Sequence, residues 1–183
     1  MSEPQPRLSL KEIARRFDCA GVTWAVFAGA AASVYGSPRP LTDVDILVPT
    51  GEASRLTVLF PEAEVVHRED GSVQGIQLPG FDILAGLSTM DLDVEMAERR
   101  TRHEIVGVTV PVIPPEDNIL LKAISGRGPE VGKHDREDVE AMLGHLPALD
   151  WEYLRWRADT CARPQPAQEA LQRLLDPYSP PGA

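Results

Sequence analysis

The rhythm of apolar and polar positions changes several times along the chain. Behind Ser9-x-x-Glu12, a capping-box pattern, Leu10, Ile13, Ala14 and Phe17 recur at helical spacing and predict a first helix over about 9–19. Residues 22–28 are almost continuously apolar and rich in valine and aromatics, which reads as a buried strand. Small residues at 29–35 suit a short helix packed close to that strand, and Gly36-Ser37-Pro38-Arg39-Pro40 is a loop. A second strand covers 43–49, and 51–60 is a helix with Thr50 as its cap. Three short strands at 63–68, 73–78 and 81–84 are separated by turns at Glu69-Asp70-Gly71 and Pro79-Gly80. Residues 89–100 fit helix or loop, and 106–113 alternates as a strand. Pro115 opens a helix to about Ser125. Three more follow: about 134–146, one marked by Trp151, Leu154, Ala158 and Cys161, and one marked by Ala167, Ala170, Leu171 and Leu174. A proline-punctuated tail is expected to fray at its end.

This order predicts an α+β fold, one mixed β-sheet flanked by helices with a helical C-terminal part. The expected division is a body over 1–146 and a helical extension with a Pro-rich tail over 147–183.

Asp43-Val44-Asp45 sits at the start of a strand that continues as Ile46-Leu47-Val48. Alternate strand residues share a face, so the two carboxylates project together while Val44 and Ile46 face the core. Close carboxylates repel, and a divalent cation resolves the conflict. Mg²⁺ takes oxygen ligands and commonly uses one or two carboxylates together with substrate phosphates. A solvated pair at a strand start is the simpler reading of the two acids alone. Their context adds to them: Gly29-Ala30 ends an apolar strand and opens a helix, where free N–H groups suit a phosphate. Twelve residues, 31–42, separate that turn from Asp43.

The stretch VFAGAAASVYG…RPLTDVDILV resembles the signature of the polymerase-beta-like nucleotidyltransferase superfamily: an apolar strand, a small turn, a spacer of this length, then Asp-hydrophobic-Asp. Within it, the stretch looks most like small bacterial proteins related to the AbiEii abortive-infection toxins, where an Arg stands four residues before the first Asp, here Arg39. A second block, IPPEDNILLKAISGRGPEVGKHDREDVEAML, resembles the same family downstream, with Lys122, Arg127, Lys133, Asp135 and Asp138 in its charged places. The resemblance covers about 20–145.

It implies a nucleotidyltransferase-like fold and transfer of a nucleoside monophosphate from a triphosphate such as ATP to an acceptor hydroxyl on RNA, tRNA or protein. It implies Mg²⁺, two ions during turnover, held by Asp43, Asp45 and a third acid from a neighbouring strand, for which Asp82 in Phe81-Asp82-Ile83-Leu84 fits. Gly29, Ala30, Ser33, Arg39, Lys122, Arg127 and Lys133 are the implied nucleotide and phosphate contacts. A cognate toxin or antitoxin protein is an implied partner. Ala30 departs from the family, which has Gly or Ser there, so a catalytically degenerate nucleotide-binding or partner-binding protein stays open. So does a small-molecule, antibiotic-modifying transferase, whose acceptor pocket Trp151, Tyr153 and Trp156 could line. Asp135 is read as a helix cap rather than a catalyst. Asp91-Leu92-Asp93 repeats the acidic pattern but precedes a helical stretch, so these acids are read as a helix start favoured by the dipole.

The formal net charge of −10 offers no broad basic surface for non-specific nucleic-acid binding. Only three of the 18 basic residues are lysines, and Lys122 and Lys133 fall in the second matched block. A compact ammonium suits a phosphate as a point charge. Cys19 and Cys161 are expected as free thiols in the cytoplasm. The four histidines lack the spacing of a zinc site. No apolar run of membrane-spanning length is present, and the N-terminus lacks the apolar segment of a signal peptide.

Overall fold

The computed structural model describes residues 8–131 and 133–178. The expected fraying of the chain end falls outside them. Helix α1 (Leu10–Ala20) begins at Ser9, whose hydroxyl accepts the Glu12 N–H at 3.2 Å, and ends at Gly21 with φ +65°. Only that half of the expected capping box forms, because the Glu12 carboxylate bonds Arg15 and Arg16 instead. Phe17, fully buried, stacks on Trp24 and meets Phe60 edge-on, which fixes α1 against the sheet.

Strand β1 (Ala25–Phe27) is shorter than the apolar run suggests, because Val22 is bound back to the Phe17 carbonyl and the Trp24 indole to Asp18. It runs straight into α2 (Ala28–Val34). Then come β2 (Val44–Val48), a 3₁₀ turn at Thr50–Glu52 and α3 (Ala53–Leu59). The Thr50 side chain does not cap this helix; the Thr50 N–H instead donates to Asp91 at 2.9 Å. Strands β3 (Glu64–His67), β4 (Val73–Leu78) and β5 (Phe81–Ala85) follow as expected. Helix α4 (Val94–Glu98) is capped by Asp93, which accepts the Met96 N–H at 2.9 Å.

The expected strand at 106–113 is the second half of a hairpin, β6 (Thr101–Ile105) with β7 (Val108–Val112), paired antiparallel. Its two-residue turn is Val106-Gly107, with φ of +50° and +73°. Such turns normally announce themselves as Asn-Gly, and a β-branched residue at positive φ hides the signal. Val106 is largely exposed, so Val106→Asn should raise stability by about 1 kcal/mol in a urea melt. A loss would show that the valine side chain does more for the hairpin than the strained backbone takes away.

The seven strands form one mixed sheet in the order β3-β4-β5-β2-β1-β7-β6. β2 lies in the middle, parallel to β5 and antiparallel to β1. Helices α5 (Pro115–Ser125), α6 (Asp135–His145), α7 (Trp151–Thr160) and α8 (Pro164–Tyr178) complete the fold. Both α7 and α8 pack on α5, so the C-terminal helices rest on the central helix of the body. Cys19 and Cys161 are both free. Among the described residues no helix is long and apolar enough to cross a membrane.

Helix α5 is buried along nearly its whole length, and it carries Glu116, Asp117, Asn118 and Lys122 inside. Buried polar groups need partners. Each of these residues finds one in a different part of the chain. Glu116 accepts the Asp150 N–H that leads into α7. Asp117 accepts the Tyr153 hydroxyl at 2.7 Å and pairs with Arg157 at 2.8 Å. Asn118 bonds Ala28, and Lys122 pairs with Asp135 and Asp138 of α6.

Candidate active site

The sheet register brings two of the expected acids side by side. Asp45 on β2 and Asp82 on β5 are direct partners in parallel strands, and on its other side Asp45 pairs with Phe27 of β1. Asp43 lies just before β2, where the Val44 N–H is bound to the Gly80 carbonyl. Asp43 is exposed, and Asp45 and Asp82 are half-buried. Val44 and Ile46 point into the core, as the alternation requires. Burial pushes the Asp45 carboxyl up to about 6, and the charges of Asp43 and Asp82 push the same way. Lys122 and Lys133 act on it in the opposite sense. The three acids therefore share one electrostatic neighbourhood with two ammonium groups.

Among the described residues, no group of three or more Asp, Glu, His or Cys is disposed to hold a metal ion by itself. Mg²⁺ seldom uses such a cage: it keeps several waters and binds through one or two carboxylates plus phosphate oxygens. This donor set fits an ion that arrives with a nucleotide better than a resident one.

The strand-to-helix turn is open on one side. A Cβ built on Gly29 would meet nothing within 4 Å, and Gly29 is half-exposed. Ala30, in contrast, is wholly buried, so a side chain there faces the core and not that space. The Ser33 hydroxyl donates to the Ala30 carbonyl at 2.7 Å.

The basic residues divide. Lys122 is neither a solvated helix-end charge nor free: only 7% exposed, it lies 3.1 Å from Asp135 and 2.8 Å from Asp138. Arg39 joins it on Asp138, as does the Ser37 hydroxyl at 2.7 Å, and Arg127 joins it on Asp135 at 2.6 Å. The expectation that Asp135 caps its helix is corrected here. The cap residue is His134, without a side-chain bond, and Asp135 is a buried counter-charge. Lys133 is exposed and forms no ion pair with any acid among the described residues.

Asp91 and Asp93 serve the scaffold. Asp91 accepts the N–H groups of Thr50 and Leu92, and Asp93 caps α4 and pairs with Arg157. Tyr153 is buried on Asp117, and Trp156 stacks on it, so these aromatics pack the C-terminal helices. A groove of about 750 Å³ lies between α5, α6 and α8, with Lys122 in its lining and none of the three acids. Asn118, Asp117 and Arg157 carry no signal in the sequence, because their partners stand 90 and 40 positions away.

No family model matches the chain, and no curated protein matches it. Solved structures do. The crystal structure of ANT(2'')-Ia in complex with adenylyl-2''-tobramycin is similar with a TM-score of 0.55 at 14% identity, over 90% of this chain and 96% of that one. The solution structure of the same antibiotic-resistance factor gives 0.52 at 13%, over 93% and 91%. An antigenic nucleotidyltransferase-like protein from Paracoccidioides brasiliensis is 20% identical over 94% and 91%, with a TM-score of 0.49. At these identities the likeness is one of fold. The chain has a nucleotidyltransferase-like fold, with Asp45 and Asp82 on its central strands β2 and β5 and Asp43 just before β2.

Proposed function

We propose that the protein is a Mg²⁺-dependent nucleotidyltransferase. The observation that carries this reading is the in-register pair Asp45 and Asp82, with Asp43 two residues upstream, on adjacent central strands of this fold. The triphosphate binds between the Gly29 turn and the acids, and Lys133 offers its ammonium to the phosphates. When bound, Mg²⁺ supplies positive charge to the attacking and leaving oxygens. The three carboxylates would hold that charge in place, and the acceptor hydroxyl would give up its proton to a carboxylate beside it. The hydroxyl oxygen bonds the α-phosphorus, the bond to the β-phosphate oxygen breaks, and pyrophosphate leaves.

The finer assignment, to an AbiEii-like toxin–antitoxin component acting in the cytoplasm on tRNA or protein, rests on the sequence resemblance at Arg39 and the second charged block. A small-molecule acceptor is a second reading, for which the groove between α5, α6 and α8 offers a volume of about 750 Å³. Incubation with each α-labelled nucleoside triphosphate and Mg²⁺, alone, with total tRNA and with cell protein, tests the proposal. Label on an acceptor supports it. Binding without transfer to any acceptor would favour a degenerate nucleotide-binding protein.

The two lysines should behave differently. Lys133→Ala should weaken triphosphate binding about tenfold or more and leave the uncharged nucleoside unaffected, since only the charged hydrogen bond is lost. Lys122→Ala leaves Asp135 and Asp138 short of a buried counter-charge, so it should cost about 3 kcal/mol of stability. Calorimetry with both ligands, beside thermal melts, checks this. Equal losses for nucleoside and triphosphate would remove Lys133 from the site.

A further inference from the structure

We propose that Asn118 is a positioning residue that holds the Ala28-Gly29 turn against the acids. The inference rests on the nucleotidyltransferase reading for its consequence, but its premise is geometric. Ala28 has φ +55°, a left-handed conformation that disfavours any residue with a Cβ. It stands where the sheet runs out. On one side of β1 the last ladder bond runs from the Ile113 N–H to the Val26 carbonyl, and the next two residues are Pro114 and Pro115, which have no N–H to give. On the other side the pairing with β2 ends at Phe27 and Asp45, and the Val44 N–H belongs to the ladder with β5, where it donates to the Gly80 carbonyl. The next acceptor on β7's side, the Ile113 carbonyl, takes the Tyr35 hydroxyl at 2.8 Å, so neither backbone group of Ala28 has a strand partner.

Asn118 supplies one with its side chain. Its carboxamide oxygen accepts the Ala28 N–H at 2.8 Å, and its NH₂ donates to the Ala28 carbonyl at 3.1 Å. The residue is fully buried, and the NH₂ also lies 3.6 Å from the Met142 sulfur on α6. A primary amide is the side-chain copy of a peptide group, so it continues the ladder by one step while letting the backbone take the left-handed turn. Alanine, serine or leucine at 118 cannot do both. The residue just before the turn, Phe27, is the register partner of Asp45, so the turn and the acids are fixed to each other through one rung of the sheet. The nucleotide is then met by a turn that is already set rather than one that must be ordered on binding.

Four proteins test this: the wild type, Asn118→Ala, Ala28→Gly and the double variant. Amide hydrogen exchange at residues 28–30, binding of a non-hydrolysable Mg²⁺-nucleoside triphosphate analogue and thermal melting are read on each. Asn118→Ala should speed exchange at the turn and weaken the analogue about tenfold or more at a temperature where the protein is folded. Glycine accepts positive φ without penalty, so adding Ala28→Gly should recover most of that affinity. Ala28→Gly alone should raise the melting temperature by about 2–4 °C, a readout that stands even if Asn118→Ala does not fold. A lower melting temperature for Ala28→Gly, unchanged exchange in Asn118→Ala, or faster exchange with unchanged affinity would each overturn the proposal. A wild type that binds no nucleotide would overturn the nucleotidyltransferase reading instead, and exchange and melting would then judge the clamp.

Discussion

Replacing Asp45 by asparagine should abolish nucleotide turnover and, in the metal-free protein, make the fold more stable at pH 7. The two effects have one cause. Burial, and then the charges of Asp43 and Asp82, raise the Asp45 carboxyl from its ordinary 3.8 to about 6. The folded state therefore holds this proton more tightly than the unfolded chain. Its contribution favours folding below pH 4 and is lost as pH rises through 6, so the ionised group opposes folding at neutral pH. The full difference corresponds to about 3 kcal/mol, and partial contact with water reduces it to about 1–2 kcal/mol. Asp45→Asn should thus stabilise by that amount at pH 7 and by almost nothing at pH 4. Asp43→Asn and Asp82→Asn should abolish turnover as well, and a double variant should be little worse than either single one, because the acids act as a unit. Asp91→Asn should remain active, since its carbonyl can still accept from Thr50 and Leu92. Loss of stability at pH 7 in Asp45→Asn would mean that the acid is structural.

The second large effect lies far from the acids in sequence. Arg157→Met should destabilise the protein by about 3–5 kcal/mol, the cost of stranding a buried charge. Arg157 is 3% exposed and joins Asp117 on α5, Asp93 at the start of α4 and the Tyr153 hydroxyl. Burial alone would lower its pKa, yet the hydrogen bonds it donates to Asp93 and the charge of Asp117 hold it above its ordinary value. Burial raises Asp117 to about 6 even with Arg157 beside it. The pair is therefore a means of fixing α7 on α5 more than a net source of stability. Asp117→Leu combined with Arg157→Met should recover most of the loss, whereas Arg157→Met alone should not. A melt in which the single variant is unchanged would show that water reaches Asp117.

What the sequence reveals and what it hides follow from the range of the signals. Asp43 and Asp45 stand out in the sequence because a period of two places them on one face of a strand, and Asp82 because a short apolar strand frames it; the register then sets Asp82 beside Asp45. Helix α5 is legible in extent, since Pro115 and Gly126 mark its ends. Its interior is not. Glu116 and Asp117 look like solvated first-turn acids suited to the dipole, and Asn118 like a neutral helix residue. Their burial depends on α7 and on the Ala28 turn, which no local pattern connects to them. Lys122 misleads in the same way: its position in the charged block suggests a phosphate contact, and only the packing of α6 reveals Asp135 and Asp138 around it. The β6–β7 hairpin stays hidden because valine occupies a turn position that glycine or asparagine would have marked.

The central claim is transfer of the α-phosphoryl group with its nucleoside. The most direct measurement gives the wild type and Asp45→Asn the same nucleoside triphosphate labelled in parallel at the α- and γ-phosphorus, with Mg²⁺ and the acceptor pools. The account predicts α-label on an acceptor and γ-label released as pyrophosphate, in the wild type only. Transfer of γ-label to the acceptor, or equal transfer by Asp45→Asn, would contradict it.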